Sequence, residues 1–300
     1  MVETKRKLAE SSTATQSDTS ETTSPSRRSM SPPIAALWSK LGGNPFAATF
    51  NKWVREAPDA EAVVWLNGEG DVAEIRTYKQ LVDQIYTLAA YLEEIGIKKN
   101  DRVILCYPPG IDFIVAFYSC IISGIAAVPV YPPDPTKGVT DIPRFCDIGA
   151  SAGTKKALTS TTYRRVAAAM SVVSRERRWK EIEWICTDTI KTKATAANCP
   201  PATLDPHSIA FLQFTSGSTS EPKGVMVTHA SLLHNMHLCW HSFEFPTHLE
   251  TKDPSEQFST HDYDFFELDE FWKRRHEVSV ARKGHRVRAF SWLPVYHDMG

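Results

Sequence analysis

From about residue 34 onward, hydrophobic positions recur along the chain with the spacings of helices and strands. The most regular run is Tyr78–Ile95, in which apolar residues return every three or four positions, at Leu81, Ile85, Leu88 and Leu92. This spacing places them on one face of a helix. Thr77 before the run and Gly96 after it are residue types that favour the start and the end of a helix. The pattern predicts a helix over Tyr78–Ile95 with Thr77 as its cap.

Strand-like and helical segments alternate after this helix. We predict strands at Arg102–Tyr107, Ile125–Val130, Lys156–Thr159 and Glu183–Cys186. We predict helices at Ile111–Ile122, Asp141–Ile148 and Thr161–Val173. Two further strands, Ile209–Phe214 and Val225–Val227, precede a helix begun by Thr228. Regular β-α-β alternation indicates an α/β protein whose parallel sheet is covered by helices on both faces.

The first 33 residues have a different composition. Between Val2 and Ile34 only Leu8 and Met30 are large and apolar, and Ser and Thr dominate. Such a segment cannot bury enough apolar surface to fold. Its acidic residues argue against a transit peptide, and its lack of an apolar core argues against a secretory signal. We predict a disordered tail over 1–33 and one domain over 34–300.

Composition narrows the class of protein. The 300 residues are 42% hydrophobic with a formal net charge of -1, so the chain can bury a core and has no overall bias toward nucleic acid or anionic lipid. Polar residues and Pro129 interrupt its longest apolar stretch, Phe113–Val130, which argues against integral membrane association. The 6 cysteines form no C-x-x-C pair, which predicts reduced, buried thiols. These features predict a cytoplasmic protein without a nucleic-acid partner.

The segment Phe214–Gly224 carries the clearest chemical signal. It combines a turn at Gly217, a lysine at Lys223 followed by Gly224, and a group of hydroxyls from Thr215, Ser216, Ser218 and Thr219. Glycine permits backbone N–H groups to converge on an anion, hydroxyls donate to phosphate oxygen, and lysine adds a mobile positive charge. A strand on either side would hold the loop at a sheet edge. We predict that this loop binds phosphate, and a plain surface loop remains the alternative.

The order of residues in this loop separates it from the G-x-x-x-x-G-K-[ST] loop, because its lysine precedes glycine and follows Pro222. It resembles the T-S-G-[ST]-T-G-x-P-K-G signature of adenylate-forming enzymes. Ser220 stands where that signature has its second glycine. The resemblance implies the N-terminal α/β domain of such an enzyme, with parallel sheets flanked by helices and incomplete at the C-terminus.

Other segments carry the same resemblance in the expected order. Thr77–Leu81 is similar to an early L-[TS]-Y-x-E-L motif, and Ile122–Pro129 to an A-G-x-x-x-x-P motif. Three more segments are similar to the fatty acyl-AMP ligase branch: Tyr107–Gly110, Val130–Pro135 and Ser291–Gly300. That branch joins a fatty acid to AMP and passes the acyl group to the phosphopantetheine thiol of an acyl carrier protein.

The resemblance assigns roles to residues of this chain. It implies that the loop from Thr215 to Gly224 holds the β- and γ-phosphates of ATP, with Lys223 as the cation and Mg2+ as a further counter-charge. It places His297 near the acyl carboxylate. Coenzyme A stays open as the acceptor in place of a carrier protein. Because the family's adenine pocket and C-terminal domain are not in the sequence, we expect a fragment that does not adenylate at a useful rate alone.

Two further features bear on a possible metal site and on a possible protein partner. His234, His237 and His241 fall on one face of the helix begun by Thr228, but without a carboxylate or cysteine on that face we predict no metal site. Residues 243–287 form a predicted charged insertion, acidic over 262–270 and basic over 273–288. A solvated insertion and a docking strip for an acidic carrier protein are the two interpretations.

Three functional hypotheses stay open from the sequence. The first is a fatty acyl-AMP ligase, and the second is an acyl-CoA synthetase or amino-acid adenylation domain that shares the loop. The third is a non-catalytic nucleotide-binding or regulatory protein on a truncated adenylation fold, which Ser220 and the missing half motivate.

Overall fold

The computed structural model describes residues 30, 32–190, 201–215 and 222–242. Its α-helices are α1 (Pro32–Lys40), α2 (Pro45–Glu56), α3 (Tyr78–Glu94), α4 (Ile111–Ser123), α5 (Gly138–Ala152), α6 (Thr161–Val173) and α7 (His229–Ser242). Its strands are β1 (Glu61–Leu66), β2 (Val72–Thr77), β3 (Arg102–Leu105), β4 (Ala126–Pro129), β5 (Lys156–Thr159), β6 (Glu183–Cys186), β7 (Ile209–Thr215) and β8 (Lys223–Thr228). Short 3-10 turns occupy Pro135–Lys137 and Arg177–Glu181.

A six-stranded sheet in the order β6-β5-β3-β4-β7-β8 forms the centre of the described part, beside a separate β1-β2 ribbon. The strands β3 to β7 pair in parallel, as the β-α-β alternation predicts. The edge strand β8 runs antiparallel to β7, which the prediction of a parallel sheet missed. The reason is the length of the connection, because a parallel return needs a crossover of a dozen or more residues.

Most predicted elements appear with nearly the predicted bounds. Thr77 caps α3 through a capping box with Gln80, and Gly124 ends α4 in the left-handed conformation. Helix α5 is longer than the predicted Asp141–Ile148 and contains Pro143 in its second turn, where proline removes one helix hydrogen bond. Helices α1 and α2 and the β1-β2 ribbon were not predicted, and α1 begins at Pro32, inside the predicted tail.

Helices cover both faces of the sheet. Val103 and Leu105 of β3 pack with α3 and α4 on one face, whereas Ile104 between them packs with α5 and α6 on the other. All three side chains are 0% exposed. Burial on both faces is the expected environment of a central parallel strand. Every helix in the described part of the chain is too short or too polar to cross a lipid bilayer.

Asn44 is a buried polar link between three segments. Its side-chain amide donates to the carbonyl oxygens of Ile122 at 2.9 Å and Ala202 at 2.7 Å. Its side-chain oxygen accepts from the backbone N–H of Ala47 at 3.1 Å and so caps α2. Removal of this side chain would leave two interior carbonyl groups without their donor, which is the costly case for a buried hydrogen bond.

His229 is a second buried link, 0% exposed at the start of α7. Its Nε2 lies 3.3 Å from the carbonyl oxygen of Ile121, and its Nδ1 lies 3.2 Å from that of Ser208. Burial lowers the pKa of His229 below its ordinary value, although the hydrogen bonds to the two carbonyl groups oppose this shift. A neutral imidazole carries one N–H and donates to one of these carbonyl groups at a time, and with the proton on Nε2 it ties α7 to α4.

We predict that Asn44→Ala lowers the free energy of unfolding by about 2 to 4 kcal/mol, since it breaks the cap and both carbonyl links. Asn67→Ala is the matched control, because the Asn67 side chain accepts two backbone N–H groups but lies in an exposed turn. Urea unfolding followed by tryptophan fluorescence measures both variants. Equal losses for the two variants would show that Asn44 contributes no more than a surface turn.

A pH dependence follows from the lowered pKa of His229. Between its folded pKa and about 6.5, the unfolded chain binds the proton more readily, so stability is complete above this window and falls as the pH drops through it. Unfolding midpoints between pH 7.5 and about pH 5 should therefore fall less steeply for His229→Gln than for the wild type. His234→Gln, at an exposed position of the same helix, is the control. Parallel pH profiles for the wild type and His229→Gln would contradict the prediction.

Candidate functional site

Three parallel strands end at one edge of the sheet. The strands β3, β4 and β7 are consecutive and parallel in the sheet, so their carboxyl ends lie at the same edge. Tyr107–Gly110 follows β3 and Val130–Pro135 follows β4, and β7 ends at the same edge with Thr215. The carboxyl edge of an open parallel sheet is the usual place for a ligand. Strand order therefore brings two segments whose sequences resemble adenylate-forming enzymes to the edge where the last residue of β7 also lies.

The base of the predicted phosphate loop is an antiparallel pair. Thr215, the last residue of β7, lies opposite Lys223, the first residue of β8, and Phe214 lies opposite Gly224. The loop is thus closed at its base by the β7-β8 ladder, and Lys223 enters the site directly across from Thr215. The sequence predicted a strand on each side of the loop, and the ladder shows that these two strands pair with each other.

Gly224 has a packing reason to be glycine. A Cβ atom there would lie 2.9 Å from the ring of Phe214, which is too close for an ordinary contact. The Phe214 ring covers the Gly224 backbone and packs into the core on the α5 side of the sheet. This arrangement, an aromatic side chain over a cross-strand glycine, stabilises the register of a hairpin. Gly224 therefore fixes the position of its neighbour Lys223.

Lys223 is a cation without a counter-charge among the described residues. Its side chain is exposed and forms no ion pair within the described part of the chain. Strand alternation directs it away from the face that holds the Phe214 ring. An uncompensated ammonium group at the mouth of a loop attracts an anion more strongly than a paired one. The geometry at the loop base therefore suits a phosphate group.

The remaining predicted site residues lie outside the described residues. These are Ser216, Gly217, Ser218 and Thr219 of the loop, together with His297. For Thr215 the structure describes the backbone in β7. The assignment of phosphate contacts to these residues stays a prediction. The predicted insertion at about 243–287 also lies outside the described residues.

Buried hydroxyl groups hold the neighbouring segments in place. The Thr159 hydroxyl donates to the carbonyl oxygen of Cys106 at 2.6 Å, and the Tyr163 hydroxyl donates to that of Pro133 at 2.9 Å. Burial raises the pKa of Tyr163 well above its ordinary value, so the phenol stays protonated as a donor. The sequence analysis missed both residues because they lie in a run of hydroxyl-bearing residues, Thr159–Tyr163, in which nothing distinguishes one hydroxyl from the next.

The buried cysteines fit the structural interpretation given from the sequence. Cys106, Cys120 and Cys146 are buried free thiols, and burial raises the pKa of Cys146 to about 11. The prediction of reduced, buried thiols is confirmed for these three, and Cys186 is partly exposed. Within the described residues no cluster of three metal-ligating side chains occurs, and the side chain of His241 is not among them.

Comparison with known proteins agrees with this arrangement. The AMP-binding enzyme family matches residues 50–300. The medium-chain-fatty-acid–[acyl-carrier-protein] ligase JamA of Moorena producens is 36% identical over 170 residues, which cover 56% of this chain and 28% of that protein. The Disco-interacting protein 2 homolog A of Homo sapiens is 33% identical over 193 residues, which cover 62% of this chain and 12% of that protein.

A solved structure gives the same fold. The fatty acyl-adenylate ligase of L. pneumophila, crystallised with acyl adenylate and pyrophosphate, aligns with a TM-score of 0.56 at 28% identity, over 72% of this chain and 35% of that one. The α/β fold implied by the resemblance is confirmed. The chain spans about a third or less of each of these relatives. On the match over residues 50–300, the chain belongs to the AMP-binding enzyme family.

Proposed function

We propose that this chain forms part of an enzyme that activates a fatty-acid carboxylate with ATP as acyl-AMP and transfers the acyl group to the phosphopantetheine thiol of an acyl carrier protein. The observation that carries the proposal is the base of the β7-β8 hairpin, where Lys223, which has no ion-pair partner among the described residues, lies at the carboxyl edge of the parallel sheet. The similarity to a fatty-acid–[acyl-carrier-protein] ligase supports the choice of fatty acid and carrier.

The first step would join two anions. A carboxylate oxygen of the fatty acid attacks the α-phosphorus of ATP, and a new oxygen–phosphorus bond forms as the bond to the pyrophosphate oxygen breaks. The products are acyl-AMP and pyrophosphate. The site has to neutralise phosphate charge and hold the reactants in line, because the protein contributes to phosphoryl chemistry through position and electrostatics.

Residues of this chain fit the pyrophosphate side of that reaction. Lys223 would neutralise charge on the departing pyrophosphate, and the loop from Thr215 to Gly224 would donate N–H and hydroxyl groups to its oxygens. Strand pairing across Thr215 and Lys223 keeps the loop base rigid, so less ordering is needed when phosphate binds. We also propose that His297 lies near the acyl carboxylate.

Mg2+ would bind at this site together with the nucleotide. The described residues contain no carboxylate cluster that would hold a metal ion alone, whereas Mg2+ usually binds through substrate phosphates and water with few protein ligands. It would supply further neutralisation of the triphosphate. The hydroxyl groups of the loop are the protein atoms that would approach it.

The second step would move the acyl group to a thiol. The thiol sulfur attacks the acyl carbonyl, the bond between that carbonyl and the AMP oxygen breaks, and AMP leaves with the oxygen it gained. Coenzyme A and a carrier protein present the same phosphopantetheine thiol, so the chemistry of this step does not choose between them. The acceptor is therefore a separate part of the proposal with its own measurement.

Pyrophosphate binding tests the role of the loop. We expect the chain to bind pyrophosphate in the presence of Mg2+ and Lys223→Gln to weaken that binding at least about tenfold, since hydrogen bonds to charged groups contribute about 1.5 to 3 kcal/mol. Isothermal titration calorimetry measures both. Lys98→Gln is the matched control, because Lys98 is also exposed and unpaired among the described residues. Equal affinity of the two variants for pyrophosphate would show that Lys223 does not contribute to the site.

Turnover tests the reaction and its acceptor. The native protein, purified from its natural source, should catalyse ATP–pyrophosphate exchange that depends on fatty acids and is not driven by amino acids. With a radiolabelled fatty acid, the label should then appear as a thioester on an acyl carrier protein. Exchange driven by amino acids would overturn the substrate class, and a thioester formed only on coenzyme A would overturn the acceptor. Nucleotide binding without exchange would favour a non-catalytic protein.

A further inference from the structure

A basic surface that the phosphate site does not use lies on α6 and the 3-10 turn after it. Residues 161–181 contain six cations against two carboxylates, a net charge of +4 in a chain whose overall charge is -1. The cations are Arg164, Arg165, Arg175, Arg177, Arg178 and Lys180, and helix α6 itself contains no acidic residue. We call this surface, from Thr161 to Glu181, the α6 basic face.

The few acidic groups of this face are already engaged. Glu176 pairs with Arg178 at 2.8 Å, and Asp147 of α5 pairs with Arg178 at 2.7 Å. Glu181 forms an ion pair with Lys155 at 2.7 Å. The hydrogen bonds from Arg178 lower the pKa of Glu176 to about 2, so this carboxylate is fully committed to Arg178. The other five cations of the face form no ion pair within the described part of the chain.

Apolar side chains lie among these cations and face solvent. The outward stripe of α6 consists of Arg165, Ala168, Ala169 and Val172. Val172 is 84% exposed, and Val139 of α5 is 91% exposed, which makes them the most exposed large hydrophobic residues of the described chain. The two helices adjoin here, because a Cβ on Gly138 would lie 3.6 Å from the Met170 side chain. Exposed apolar residues within a charged rim are typical of a protein interface.

The face is held rigid from beneath. Trp179 is 1% exposed, and its indole N–H donates to the carbonyl oxygen of Ala167 at 3.1 Å. Its ring packs against Phe145 and Trp184 at centroid distances of 5.2 and 5.0 Å. The 3-10 turn is thereby fixed beside the middle of α6. A surface that is already ordered loses less entropy when a partner binds.

We propose that the α6 basic face docks an acidic protein surface, and, resting on the proposed function, that this surface belongs to the acyl carrier protein. Four of the five unpaired cations are arginines, whose planar guanidinium group binds carboxylate through two parallel hydrogen bonds. A membrane fits less well, because helices that lie in lipid interfaces carry Trp, Phe or Leu, whereas this outward stripe offers only Ala and Val.

The position of the face suits delivery of a thiol to the site. Helix α6 starts directly after β5, at the sheet edge where β7 also ends with Thr215. In the sheet, β5 and β7 are separated by β3 and β4, so their ends are about 14 Å apart at ordinary strand spacing. Arg164 and Arg165 are in the first turns of α6 and thus at the end of the face nearest the site.

The test is direct binding of a fluorescently labelled acyl carrier protein that bears its phosphopantetheine arm, followed by anisotropy. Arg165→Glu and Arg177→Glu should each raise the Kd about tenfold at low salt, and the difference should shrink as salt screens the charges. Lys98→Glu changes the net charge equally and should stay within about twofold of the wild type. Arg274→Glu tests whether the carrier protein binds instead to the basic strip at 273–288.

Several results would overturn this inference. One is a wild-type chain that does not bind the carrier protein. Another is an equal loss of affinity in the charge reversals at 98, 165 and 177, and a third is a loss of affinity confined to Arg274→Glu. Binding to vesicles of phosphatidylcholine and phosphatidylserine with the same dependence on Arg165 and Arg177 would assign the face to a membrane. Fatty-acid-dependent ATP–pyrophosphate exchange does not involve the carrier protein. The presence or absence of this exchange therefore tests the proposed function separately from the docking surface.

Discussion

The parallel pairing of β3 with β4 and β5 is the constraint on which the rest of the described structure depends. Each parallel return requires a crossover helix, and helices on both faces bury both sides of the strands. Val103, Ile104 and Leu105 of β3 are each 0% exposed although successive side chains point to opposite faces. Because the strands run in one direction, the segments that follow them collect at one edge. The candidate site is a consequence of that shared direction.

Buried polar links position the helices around this sheet. Asn44 joins α2 to α4 and to the segment before β7, and His229 joins α7 to α4. The hydroxyl of Ser119 in α4 donates to the carbonyl of Ile85 in α3 at 2.9 Å. Apolar packing is not directional, whereas each of these bonds requires one geometry. They determine where the helices sit, and the apolar core supplies most of the stabilisation.

Charge distribution, and not total charge, carries the functional information. A formal charge of -1 describes a nearly neutral chain, yet Lys223 and the α6 basic face concentrate unpaired cations at two places in the described part. The first cation is single and lies at a loop base, which suits a small anion. The second group is spread along a rigid helix with exposed apolar residues between the charges, which suits a protein surface. Under the two proposals, a small anion and an acidic protein would bind at separate places on the described part of the chain.

The sequence by itself determined the elements whose signal is local. The apolar spacing and the Thr77 cap defined α3, and β5, α6 and β6 have the predicted bounds, because periodicity and capping act within a few residues. The hydroxyls, glycines and lysine of the loop predict phosphate binding in the same way. The short connection between β7 and β8 decided the antiparallel direction of β8, and tertiary structure alone decided the pairing of Thr215 with Lys223. It also decided which arginines of residues 161–181 remain free, since Asp147 and Lys155 reach that segment only through the packing of α5 and the sheet.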